Sequence, residues 1–228
     1  MNCFAHALPF LDDAYFAVGS CLPDWLSACD RKCRAREKGA QRFINHSDPV
    51  IAKIAQGVVQ HHQDDDWFHR TPIFNEMILK FAVELRELFG NERSMRPGLI
   101  GHIVVEMLLD AFLHKEHPGE LNRFYDQVDS VNPQKVQDAI NLFASRPTEQ
   151  LAAHVGRFSK ARFLFDYVTN EGINYRLNRV LERVKMNATP EVFLNWLPTA
   201  RDRVYENAEG LLAQWKGLPR LAVSKGSN

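Results

Sequence analysis

His102, Glu106 and Asp110 stand four residues apart in the segment GHIVVEMLLDAFLH. An α-helix turns once every 3.6 residues, so this spacing keeps all three side chains along one face. The residues between them are aliphatic: Ile103, Val104, Val105, Met107, Leu108 and Leu109. A helix that is apolar around most of its circumference is buried. An imidazole and two carboxylates on such a helix are costly unless something satisfies them. A divalent cation does so, taking imidazole nitrogen and carboxylate oxygen together.

The segment GVVQHHQDDDWFHR repeats the pattern. His61 and Asp65 are four apart, and His62 and Asp66 form the same pair one position around. Ile51, Ile54, Gly57 and Val58 define an apolar face that turns His61 and Asp65 inward. Three acids at a helix C-terminus oppose the helix dipole, and a cation offsets that repulsion. Two further candidates are His6, in MNCFAHALPF, and Asp24, in GSCLPDWL among Leu22, Trp25 and Leu26. An aspartate after proline also suits a plain turn.

The candidate ligands are thus His6, Asp24, His61, Asp65, His102, Glu106 and Asp110, with no thiolate. This donor set suits Mn²⁺, Fe²⁺, Zn²⁺ or Mg²⁺. Seven donors exceed one tetrahedral ion and point to two ions, bridged by Asp65 or Asp24.

These residues need helices to position them, and helical periodicity dominates the chain. The expected helices cover about 12–28, 48–64 (Asp48-Pro49 as cap and first turn), 71–89 (ended by Gly90-Asn91), 96–115, 119–127 and 132–145. Two longer ones follow, 147–183 with a break near Gly172 and 189–215 with a break at Pro198. The reading is all-α, one domain over 1–216, with a loose tail over 217–228. Phe43, Phe74, Phe81, Phe112, Phe124, Phe163 and Phe165 fall on apolar faces and read as core.

Charge is balanced at 28 basic and 28 acidic residues, which argues against a nucleic-acid or membrane-surface partner. No run reads as a membrane span or a secretory signal, so a cytoplasmic location is expected. Cys3, Cys21, Cys29 and Cys33 are expected as reduced thiols. Cys29 and Cys33 share a helix side, but two thiols alone do not define a zinc site. Arg176, Arg179 and Arg183 share one helix face. That face is either solvated and paired with acids such as Glu182, or a docking surface for a phosphate or an acidic partner.

In order, MNCFAH, GSCLPDWL, GVVQHHQDD and EMLLDAFL resemble the signature segments of bacterial acyl-carrier-protein phosphodiesterases. The resemblance spans about the first 115 residues. It aligns His6, Asp24, Gly57, His61, Asp65, Glu106 and Asp110 with that family's His, Asp and Gly positions. Later, Phe165-Asp166-Tyr167 and Arg183 match it loosely. Ala111 departs from it, standing where the family has His, and His62-Gln63 replace basic residues. The resemblance implies an HD-like helical phosphohydrolase using Mn²⁺, Zn²⁺ or Fe²⁺, one ion or two, with acyl carrier protein as a partner. A second resemblance supports the same chemistry: His61-x3-Asp65 with His102-x3-Glu106 is similar to the zinc-dependent phospholipase C pattern. The expected activity is phosphodiester hydrolysis, with Asp65, His62 and His69 in catalytic roles. The competing expectation is a catalytically silent helical homologue that binds metal or another protein.

Overall fold

Proline and short polar side chains set where most helices start. Asp48 accepts a hydrogen bond from the Val50 N–H and Pro49 opens helix α4, Pro49–Phe68. Thr71 caps the Phe74 N–H ahead of Pro72 in helix α5, Pro72–Phe89, which ends at Gly90 with φ of 58°. The computed structural model describes residues 1–90, 92, 95–213 and 215. Among these, the other helices are α1 (Cys3–Ala7), α2 (Ala14–Cys29), α3 (Glu37–Ala40), α6 (Pro97–Glu116), α7 (Glu120–Ser130), α8 (Pro133–Phe143), α9 (Leu151–Ala161), α10 (Asn170–Arg183), α11 (Val192–Glu206) and α12 (Ala208–Leu211). Short 3₁₀ turns cover Leu8–Phe10 and Phe163–Val168. No strand occurs among the described residues, so the all-α single domain stands.

Several boundaries differ from those the sequence predicts. Helix α1 was not expected; it is one short turn held by tertiary contacts. The long 147–183 helix is divided by Arg162, which takes a left-handed φ of 42°, and by the 3₁₀ turn after it. Gly172 lies instead in the first turn of α10. Pro198 sits inside α11 without ending it. The tail expected over 217–228 lies outside the described residues.

The most extensive helix pair is α2 with α4. Both helices carry glycine at the crossing. A Cβ on Gly19 would lie 2.7 Å from the Ile54 carbonyl oxygen, and one on Gly57 2.3 Å from that of Phe16. This backbone-to-backbone approach brings the Ser20 turn of α2 against the His61 turn of α4. Helix α6 runs through the middle, touching α1, α5, α10 and α11. It is long and apolar enough to cross a bilayer, with a mean hydropathy of 1.3, which corrects the expectation of no such run. More than half of that stretch is buried inside the fold, as for a core helix.

Candidate metal centre

Two trios of donors converge where α1, α4 and α6 meet. The first is His6, His61 and Asp65; the second is His69, His102 and Glu106. In the first, His6 Nε2 lies 3.3 Å from Asp65 Oδ1 and His61 Nε2 lies 3.4 Å from Asp65 Oδ2. In the second, the Nε2 atoms of His69 and His102 both lie 3.1 Å from Glu106 Oε1. Donors around a tetrahedral ion with bonds of about 2.0–2.1 Å sit about 3.3–3.4 Å apart. The imidazole–carboxylate contacts are near that spacing, all donor atoms of each trio lie within 4.8 Å of one another, and the donor chemistry suits a divalent ion. The Met1 ammonium lies 2.6 Å from Asp65 and 3.0 Å from Glu106, so one positive group touches both trios and the two are neighbours.

The imidazoles are aimed by their other nitrogens. His61 Nδ1 lies 2.8 Å from the Ser20 carbonyl oxygen, to which it donates. That fixes the proton on Nδ1 and frees the Nε2 lone pair. His6 Nδ1 faces Asp64 Oδ2 at 3.2 Å. Asp64 is itself buried and accepts from Gln60 Nε2 at 2.8 Å and Trp67 Nε1 at 3.4 Å. A carboxylate behind a ligating histidine holds the ring and raises its basicity. Asp64→Asn is therefore expected to weaken metal affinity about 10- to 100-fold with the fold intact, read by competitive titration against a chromophoric chelator. Affinity unchanged in Asp64→Asn would remove Asp64 from this role.

Electrostatics agree with the geometry. Burial alone would push the His6 imidazole down, but hydrogen bonds to Asp64 and Asp65 outweigh it and raise it to about 9. Proton and metal therefore compete for His6 Nε2. Burial and the charge of His6 push His61 down. Asp65 is held well below the carboxylate range: burial opposes this, but His6, His61 and the Met1 ammonium prevail. Glu106 is likewise held low against burial, by the ammonium, His102 and His69.

The other expected site residues fall elsewhere. Asp110 belongs to neither trio. Its Oδ1 accepts from the Ala5 N–H at 2.9 Å and its Oδ2 from the Phe4 N–H at 3.3 Å, so it anchors α1 and, through it, His6. Burial pushes its carboxyl up to about 7 against those two hydrogen bonds. His62 points off the α4 face used by His61 and meets the Ala35 carbonyl oxygen at 2.8 Å. One residue around a helix is a rotation of about 100°, which removes it from the trios. His69, expected in a catalytic role, is grouped with His102 and Glu106 as a candidate ligand. Asp24 stands beside the trios, its Oδ2 3.8 Å from Cys3 Sγ, and burial pushes its carboxyl up. Among the described residues neither trio contains a thiol, and all four cysteines are free.

Glu106 and Asp24 border a cleft of about 190 Å³ whose walls include Trp25, His154, Phe158 and Tyr167. Arg176, Arg179 and Arg183 line it from α10. Arg176 pairs with Asp166 and Arg179 with Glu182, each at 2.6 Å. In the cleft wall, burial pushes the His154 imidazole down to about 4, with the charges of Arg157 and Arg183 acting in the same direction. The unfolded imidazole takes up a proton below its ordinary 6.5, the folded one only near 4. Between those values the unfolded state binds more protons, so folding stability falls as pH drops through this window. The contribution is at most about 3 kcal/mol. His154→Gln is expected to flatten it, measured by urea unfolding near neutrality and again near pH 4.

The chain matches no protein-family model, no curated protein and no solved structure.

Proposed function

We propose that this chain is a metal-dependent phosphoric-ester hydrolase acting on a phosphodiester. The observation that carries the reading is the convergence of two nitrogen–oxygen trios beside a cleft lined with arginines. A divalent ion held by such donors supplies Lewis acidity and a water acidic enough to give hydroxide near neutral pH. The chain's own residues do the rest. Asp64 and the Ser20 carbonyl hold His6 and His61 with Nε2 forward. Asp65 and Glu106 are carboxylates throughout the neutral range, ready to bind a cation. Arg176 and Arg179 of the cleft neutralise phosphate oxygens and orient the ester, and catalysis of phosphoryl transfer rests largely on such positioning and charge stabilisation.

The test is metal analysis of chain purified without chelator, followed by turnover of bis-p-nitrophenyl phosphate, p-nitrophenyl phosphate and holo-acyl carrier protein with added Mn²⁺ or Zn²⁺. The carrier protein enters because the resemblance implies it. Metal-dependent cleavage of a diester supports the reading. Bound metal with no turnover on any ester would replace it with a silent metal-binding role.

A further inference from the structure

The cleft beside Glu106 continues into a second cavity of about 340 Å³. The two share Asp24, Ala28, Ile103, Val180 and Arg183, so together they form one trough between α2, α6 and α10. Its near end holds Glu106, beside the metal trios, together with Arg176 and Arg179, and Asp24 borders both cavities. Its middle is apolar, with Ala28, Ile103 and Val180. Its far end adds Arg31 and Arg34 to Arg183.

These far-end cations are poorly neutralised. Among the described residues, Arg31 and Arg183 have no carboxylate partner, and the Arg34 guanidinium meets only Ser27 Oγ at 3.4 Å. All three are exposed within the trough. Desolvation lowers the Arg183 guanidinium; Tyr167 opposes this, and the charges of Arg31 and Arg179 add to it. Like charges gathered at one end of a trough cost energy that an anion recovers. A second observation lies in the adjoining near cleft, whose wall includes Trp25. Trp25 is 2% exposed, yet its Nε1 has no hydrogen-bond partner. Buried indole N–H groups are ordinarily satisfied, so the near cleft carries an unused donor beside the far-end cations. The His154 ring, in the same wall, packs against the Trp25 indole at 6.2 Å between centroids.

We propose that the far end of this trough, with Arg31 and Arg183 at its centre, binds a second phosphate carried by the small molecule whose ester lies at the metal end. The substrate class is then a phosphoester with a second phosphate beyond a short apolar span. The inference rests on the hydrolase reading for the first phosphate only; the second subsite uses no metal.

The experiment titrates inorganic phosphate into chelator-treated full-length chain by calorimetry, for wild type, Arg31→Gln, Arg183→Gln and Arg183→Lys. Saturable binding is expected in the wild type. Each glutamine variant should weaken it about ten- to hundredfold, the range of charged hydrogen bonds, with partial recovery in Arg183→Lys. Circular dichroism confirms the fold of each variant. No phosphate binding, or binding unaltered by both glutamine variants, overturns the proposal. So does a hexaglutamate peptide that binds where phosphate does not, which would assign the trough to an acidic protein. Metal uptake is titrated in parallel. Its absence, with phosphate binding retained, would sink the hydrolase reading and leave the subsite standing.

Discussion

Asp65→Asn is expected to strip metal from the first trio and to lower metal-dependent diester turnover by about 10³-fold. Asp65 supplies one oxygen towards His6 and the other towards His61, and its Oδ1 also meets the Met1 ammonium. No other described carboxylate reaches both imidazoles of that trio. Asparagine keeps the shape but loses the charge and one of the two acceptor oxygens. Lewis-acid stabilisation contributes several kcal/mol, which corresponds to about three decades in rate. Elemental analysis and initial rates on bis-p-nitrophenyl phosphate measure both effects. Metal content and turnover both unchanged in Asp65→Asn would show that the trio is a polar cluster without an ion.

The second large effect comes from a residue with no side chain. Gly57→Ala is expected to destabilise the fold by about 3 kcal/mol, at the upper end of overpacking, because the new Cβ meets the backbone of Phe16, Gly19 and Ser20 rather than a flexible side chain. For a chain of this size that is a fall in melting temperature of about 6–12 °C. The site should suffer with the fold, since separating α2 from α4 breaks the Ser20–His61 hydrogen bond. Metal affinity should therefore drop even below the melting transition. Gly156→Ala is the control: nothing lies within 4 Å of its Cβ, and it sits inside α9. It should be neutral or stabilising by up to about 1 kcal/mol. Equal melting temperatures for the two variants would refute the close-approach explanation.

What could be seen in advance follows from the range of each interaction. The pairs His61–Asp65 and His102–Glu106 were legible because both members lie on one helix, one turn apart. The helix starts at Asp48-Pro49, Thr71-Pro72 and Asn132-Pro133 were legible for the same local reason. Asp64 was not. It lies three residues after His61 and serves His6, 58 positions away in the chain. A run of three aspartates offers no local signal to tell the middle one from the first. His69 caps the end of α4 and reaches His102 and Glu106 only through the tertiary fold. The role of Asp110 was misread because two buried N–H groups and a metal ion ask the same thing of a carboxylate. Only the position of α1 decides between them.

The polar line along α6 also bears on how the nascent chain partitions. By length and mean hydropathy this segment passes for a transmembrane stretch. Each acid near the centre of such a stretch opposes lateral release into lipid by about 3 kcal/mol, whereas each aliphatic residue favours it by only about 0.3–0.6 kcal/mol. Glu106 and Asp110 sit at or near that centre. One of them donates to the second trio and the other pins α1, so the same two carboxylates that organise the interior also discourage translocon-mediated insertion of its most oily segment.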